Sequence, residues 1–313
     1  MKKYVLFVCT IFLILSICSL SVANPLLTKG KKPKGEKETF KKNTTYLLLR
    51  TDDIGMSHAV DMGLKRLLKT GIPISVSVMW PCPWYQEAVK ILKKHPNVSV
   101  GVHLTLNSEW SIYRWGPISG RSAVPSLVDT NGYFFHSTKA FYDNHPKMSE
   151  VRKELRAQIE RAIHSGLKID YVDYHMLTAC DNPQILRIVE QLAKQYHLGM
   201  AEFFGEKYEH TQYAAPVNAK TDSLVNEVMN LKPGLNAINT HVAIDNPEIK
   251  AMKDASGGLR DVGANRQAVL NALTSPKFKE ALQEKHVKLV TYRDLVKMIG
   301  LKNMHPPKDG FHG

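Results

Sequence analysis

From residue 44 onward the chain alternates short β-rich apolar runs with stretches of helical periodicity, and this alternation constrains its fold more than any other feature. The runs are TYLLLR (45–50), ISVSVMW (74–80), VSVGVHL (98–104), KIDYVDYH (168–175), HLGMAEFF (197–204), LNAINTHV (235–242) and VKLVTYR (287–293). Between them, HAVDMGLKRLLKTG, YQEAVKILKKHP, SEVRKELRAQIERAIHSG, PQILRIVEQLAKQY and RQAVLNALTSPKFKEALQEKH place apolar residues at helical spacing, and several end in Gly or Pro. Strand, helix and strand repeated in this way imply an α/β fold with a parallel sheet covered by helices. An open doubly wound sheet and a closed β/α barrel both satisfy the alternation. No Gly-rich phosphate loop follows the first run, which argues against a dinucleotide-binding version.

The N-terminus reads differently. MKK, the apolar run YVLFVCTIFLILSICSLSVA and the small residues Ser21 and Ala23 form a secretory signal over residues 1–23, so an exported, secreted or periplasmic protein is expected. The competing reading is a retained membrane anchor, and cleavage would leave no stable insertion. Residues 24–43 form a basic, flexible tether. The seven lysines and two glutamates of residues 29–42, with Lys2 and Lys3, account for seven of the +13 formal charges and leave +6 on the rest. No basic patch interleaved with aromatics marks a nucleic-acid partner. Cys9 and Cys18 fall in the signal, so only Cys82 and Cys180 remain, and the sequence does not decide whether they pair. Oligomeric state is equally open.

Polar residues fall at the C-terminal ends of the apolar runs. Asp52 and Asp53 end the first, His103 the third, Asp173 and His175 the fourth, and His241 the sixth. In a parallel β/α architecture those ends share one face, where ligands bind. A lone Asp-Gly pair marks a turn and a lone His is most simply a hydrogen-bonded structural residue. The convergence of all six outweighs both readings. Two adjacent carboxylates need a cation or a shared proton. One Asp with two His makes the three-ligand set of a catalytic metal site that keeps a position open for water. The other Asp is then free to take a proton from that water, His241 to supply one across the mouth, and Asp173 to orient an imidazole from two residues before His175.

TDDIGMSHAVDMGL, SVSVMW, HPNVSVGVHLTLNSEW, YVDYHM and NAINTHV together resemble, in the same order, the motifs of the YdjC-like carbohydrate deacetylases, also called the chitooligosaccharide deacetylase family. The resemblance spans roughly residues 44–300, read as a single domain followed by a 301–313 tail. It implies a distorted (β/α) barrel of about seven parallel strands, related to polysaccharide deacetylases. It further implies metal ligands Asp53, His103 and His175, a catalytic base Asp52 and a general acid His241. The reaction implied is removal of acetyl groups from N-acetylated amino sugars, with an acetylated oligosaccharide or glycan as substrate. Two imidazoles and one carboxylate suit one divalent ion, zinc first, with nickel or magnesium as alternatives.

The chain departs from the family pattern at Arg50, Thr51 and Ile54 around the paired Asp, at Tyr171 and Tyr174 before His175, and at Val242 after the late His. Trp110, Tyr113 and Trp115 are candidates for stacking on sugar rings, with loop packing as the competing reading. Arg266 is a candidate for steering a catalytic carboxylate or contacting substrate, against a plain surface charge. The two DNP triplets, 181–183 and 245–247, read as helix starts. Two other functions fit the same residues. A phosphoesterase would need cations near the metal, of which only Arg50 is evident, and a non-catalytic glycan-binding protein would have lost a ligand or the base.

Overall fold

β1 (Thr45–Ile54) is the axis of the fold, and all ten of its residues are buried. The structure, a computed structural model, describes residues 40–209, 211–255, 257–258 and 260–312. The secretory signal expected over residues 1–23 and nearly all of the tether expected over 24–43 lie outside the described residues. Around β1 stand β2 (Ser75–Val78), β3 (Ser99–Leu104), β4 (Ile169–Tyr174), β5 (Gly199–Met200), β6 (Lys207–Glu209), β7 (Gly234–His241) and β8 (Lys288–Val290).

The sheet runs β5-β4-β3-β2-β1-β7-β6, with β8 paired to the first half of β1 through Tyr46–Leu48. Its pairings are parallel. Helices occupy the crossovers, as parallel neighbours require. The sheet curls, and among the described residues its end strands β5 and β6 do not pair with each other. This is the distorted barrel that the resemblance implied, here with eight described strands and left unclosed between β5 and β6. Each of the seven anticipated runs contains a strand. β6 was not anticipated, because Lys-Tyr-Glu has no apolar period to read.

The helices begin where the sequence says they should. Ser57 caps the helix His58–Leu68, its hydroxyl accepting from Val60 N at 3.3 Å. Asn182 and Asn246, in the two DNP triplets, cap the helices Pro183–Tyr196 and Pro247–Ala251. Cys82 and Cys180 are both buried and unpaired. Among the described residues, no helix is long and apolar enough to cross a membrane.

The barrel interior is filled from below by Tyr171. Its Cα partner on β3 is Gly101, whose missing side chain makes the room. The Tyr171 hydroxyl lies 2.8 Å from Ser77 Oγ, and its ring packs on Tyr292 at 4.1 Å between centroids. Tyr292 opens the helix Tyr292–Met298, and the next residue, Arg293, pins that helix under the sheet. Arg293 pairs with Asp170 at 2.9 Å and donates to the carbonyls of Pro96 and Val98. Tyr171, one of the departures from the family pattern, is therefore part of the core floor rather than of the mouth.

A Cβ at position 101 would stand 2.5 Å from Tyr171 Cζ. Gly101→Ala is expected to destabilise the fold by about 1–3 kcal/mol through overpacking. Denaturant unfolding checks this, and an unchanged midpoint would show that the Tyr171 ring moves aside freely.

Candidate metal centre and active-site cavity

Adjacent side chains on a regular strand point to opposite faces, so Asp52 and Asp53 should not share a cavity. They do so because β1 is irregular at that point. Its register with β2 shifts between Thr51 and Ile54, and within the shift Asp53 adopts a left-handed φ of +63°. Both carboxylates consequently line one cavity. Gly55 completes the reversal with φ +83°, and a Cβ there would lie 2.8 Å from Tyr85 Cα. Asp61 holds the turn, accepting from Gly55 N at 2.7 Å. Burial pushes the Asp61 carboxyl up to about 8 despite that donor, helped by Glu87 and Glu248.

Asp53 Oδ1 is buried and has no hydrogen-bond partner. It lies 3.4 Å from His103 Nε2 and 3.2 Å from His175 Nδ1, and the two ring nitrogens are 3.2 Å apart. A tetrahedral zinc with bonds of roughly 2.0–2.1 Å would hold its ligand atoms about 3.3 Å from one another. The other nitrogen of each ring is engaged by a carboxylate. His103 Nδ1 meets Asp173 Oδ2 at 3.1 Å, and His175 Nε2 meets Glu109 Oε2 at 2.9 Å. This is the outer support that fixes the tautomer and direction of a ligating imidazole. Asp53, His103 and His175 thus form a group able to hold a metal ion. Their donors suit a divalent cation such as zinc.

The formal charges fit as well. Four buried carboxylates, Asp52, Asp53, Asp173 and Glu109, face two buried guanidiniums, Arg50 and Arg266. In their field both imidazoles are strongly basic. Burial opposes the charge, but Asp173 and Asp52 lift His103 to about 10, and Glu109 and Asp53 lift His175 to about 9. Burial also works against the Asp53 carboxylate, yet Arg266 and the two imidazoles hold it well below the usual range.

Asp173 supports His103, its Cα partner across β3 and β4, rather than its sequence neighbour His175. His175 itself leaves the strand and sits in a 3-10 turn, His175–Leu177, with left-handed Met176 and Leu177. Arg50 grips Asp52 with two parallel bonds, Nε to Oδ1 at 2.9 Å and Nη2 to Oδ2 at 3.0 Å, and reaches Asp173 at 3.3 Å. Burial resists, but Arg50 keeps Asp52 below the ordinary carboxylate range. Arg50 does not line the cavity. His241 is the Cα partner of Asp52 on β7, with Nε2 3.8 Å from Asp53 Oδ2. Burial, opposed by Asp53 and reinforced by Arg266, lowers it to about 4. Arg266 meets a carboxylate, but that of Asp53 (2.5 Å) rather than of Asp52.

The cavity has a volume of about 560 Å³. Of the three loop aromatics, Trp110 lines it, almost wholly buried, with Nε1 donating to Met56 Sδ and its ring under Arg266. Tyr113 and Trp115 do not line it. The Tyr113 hydroxyl donates to the Met56 carbonyl and Trp115 Nε1 to the Asn107 carbonyl, so both fasten the loop. The aromatic that stands open at the mouth is Tyr213, 49% exposed, its ring edge against His241. A strap, residues 304–312, reaches the cavity at His312. His305 N donates to the Phe203 carbonyl, Phe311 packs on Tyr174, and His312 N donates to Glu202 while its ring lies over Tyr208 and borders the cavity. Glu109, Tyr213 and His312 escaped sequence reasoning because none falls at the end of an apolar run.

Residues 46–284 match the YdjC-like protein family, and the chain belongs to it. It is 26% identical over 264 residues to a carbohydrate deacetylase of Brevibacillus brevis, covering 80% of this chain and 99% of the relative. A carbohydrate deacetylase of Enterococcus faecalis is 27% identical over 268 residues, covering 80% and 97%. Among solved structures, a protein of Enterococcus faecalis V583 provisionally described as a cellobiose-phosphate cleavage protein superposes with a TM-score of 0.67. It is 25% identical, covering 80% of this chain and 99% of that one.

Removing Glu109 or Asp173 by substitution with Ala is expected to weaken divalent-metal affinity about 10–100-fold, because each fixes a ligating imidazole. Competition against a fluorescent chelator measures it, and an unchanged affinity would show the imidazoles to be self-supporting. Asp61 makes a separate prediction. Its folded pKa of about 8 lies above the ordinary 3.8, so the folded chain holds the proton where the unfolded chain has lost it. Stability therefore falls as pH rises through that window. Asp61→Asn should flatten the fall, and parallel stability–pH curves for the two proteins would refute it.

Proposed function

We propose that the chain is a metal-dependent carbohydrate deacetylase that hydrolyses the N-acetyl group of an amino sugar, with an acetylated oligosaccharide or glycan as substrate. The observation that carries this reading is the convergence of Asp53 Oδ1, His103 Nε2 and His175 Nδ1 within 3.4 Å of one another beside a second, independently held carboxylate, Asp52. Family membership and relatives named carbohydrate deacetylase support it. Asp53, His103 and His175 would hold one divalent ion, zinc by their chemistry, with nickel or magnesium as alternatives. Such an ion supplies Lewis-acid polarisation of an acyl oxygen and a lowered pKa for bound water.

The remaining work belongs to the chain. Arg50 fixes both oxygens of Asp52 and keeps it ionised, so Asp52 enters able to accept a proton from the attacking water. The departing nitrogen must gain a proton as acetate forms. His241, cross-strand neighbour of Asp52, delivers it. Being neutral at rest, His241 must first take up the proton that Asp52 removes from the water, and its passage to the nitrogen leaves Asp52 ionised again. Arg266, its guanidinium over the Trp110 ring, holds Asp53 in place, and both residues line the cavity. Arg50, the one cation that favoured a phosphoesterase, is committed to Asp52, Asp173 and the Tyr208 hydroxyl. In this reading the reaction takes place outside the cytoplasm, as a secretory signal over residues 1–23 would require.

Acetate release from a panel of N- and O-acetylated saccharides, with and without chelator, tests the proposal. Activity should vanish on chelation and return with added zinc, and full activity in rigorously metal-free protein would refute it. Asp52→Asn should lower turnover about 10²–10⁴-fold with metal content intact. Asp53→Asn should lose the metal. His241→Ala should depress amide hydrolysis far more than that of an aryl acetate, whose better leaving group needs less protonation. Equal losses on both substrates would move His241 from proton donor to a positioning role.

A further inference from the structure

Asn239 lies on β7 two residues before His241, so both side chains share the face turned into the cavity, which both line. The residue is 8% exposed, yet its side-chain Oδ1 is buried and has no hydrogen-bond partner. Buried carbonyls are almost always paired, and an unpaired one on a cavity wall marks where a ligand's donor fits.

The wall around Asn239 is built without serving that oxygen. Gln212 Nε2 donates instead to the Asn239 main-chain carbonyl at 2.9 Å. Lys220 Nζ, buried beside it, donates to the main-chain carbonyls of Gln212 at 2.9 Å and Tyr213 at 2.7 Å. Thr211 Oγ1 and Gln212 N both donate to Glu227. These bonds tie down the segment that carries Tyr213, and leave the Asn239 side-chain acceptor unpartnered on a residue that lines the cavity. Arg266 Nη1, on the helix Val262–Leu273, is likewise buried, unpartnered and on a cavity-lining residue. The cavity thus offers one spare acceptor and one spare donor around the Asp52 and His241 pair. A polyhydroxylated ring presents both complements.

We propose that Asn239 is a specificity-determining residue whose side-chain carbonyl accepts a hydrogen bond from a hydroxyl of the bound sugar, with Arg266 Nη1 donating to a second substrate oxygen. This rests on the reading of the site as a carbohydrate deacetylase. It adds to that reading the residue that distinguishes a sugar from a simple acetyl compound.

The test compares wild type with Asn239→Ala and Asn239→Leu on di-N-acetylchitobiose and on 4-nitrophenyl acetate, which has no sugar hydroxyl. Both variants should lose about 10-fold in kcat/KM on the disaccharide, chiefly through KM, as expected for removing one bond made to bound substrate. On the aryl acetate they should stay within about 2-fold of wild type. Tm should hold or rise in at least one variant, since an unpaired buried carbonyl has been removed. Unchanged disaccharide kinetics would overturn the proposal and leave Asn239 to cavity water. Equal losses on both substrates would overturn it in favour of a structural role. Wild type that binds the disaccharide in calorimetry but releases no acetate would refute the deacetylase reading alone. The variants' affinity, expected to be about 10-fold weaker, then decides the role of Asn239. Wild type that neither binds nor cleaves the disaccharide overturns both.

Discussion

The site depends on a single backbone irregularity at Asp53. A strand that kept its alternation would send one of the two carboxylates back into the apolar core, where nothing answers it. The left-handed turn at Asp53 and the register shift beside it bring both into the cavity. A non-glycine residue in that conformation is strained by about 1–3 kcal/mol, and such strain persists only where surroundings over-determine it. Here they do. Gly55 closes against Tyr85, Asp61 ties the turn from behind, and Arg266 holds the displaced carboxylate from the front.

Once the two carboxylates share a cavity, the electrostatics divide their labour. Asp52 is clamped by Arg50 through both oxygens, whereas Asp53 has one oxygen on Arg266 and the other unpaired between two imidazoles. A carboxylate with an empty lone-pair position among ring nitrogens is arranged as a ligand. One with both oxygens engaged by its own guanidinium is arranged as a held base. The imidazoles repeat the pattern, each facing Asp53 with one nitrogen and an outer carboxylate with the other.

Much of this was legible because parallel strands align their C-terminal ends, so a polar residue ending an apolar run is already placed on the mouth. Asp52, Asp53, His103, His175 and His241 all line the cavity. What the sequence hid was everything set by packing between elements. Asp173 was read as a partner of His175 because they are near in sequence, yet cross-strand register gives it to His103. Glu109 lies in an irregular loop with no periodicity to mark it. Tyr113 and Trp115 look like sugar platforms by composition, and their hydroxyl and indole N–H instead fasten the loop to main-chain carbonyls. Arg50 looked like a phosphate binder until its two acidic neighbours claimed it.

The strap of residues 304–312 has an implication of its own. It lies beyond the stretch that matches the family, and yet it sets His312 on the rim and Phe311 against Tyr174, the residue preceding His175. Its anchors, Glu202, Phe203 and Tyr208, lie between β5 and β6 or on β6, where the curled sheet is left unsealed. The gap in the barrel is therefore a socket. Residues 304–312 seated there complete the cavity rim through His312, so part of its outline is set by a side chain that the family-matched stretch does not supply.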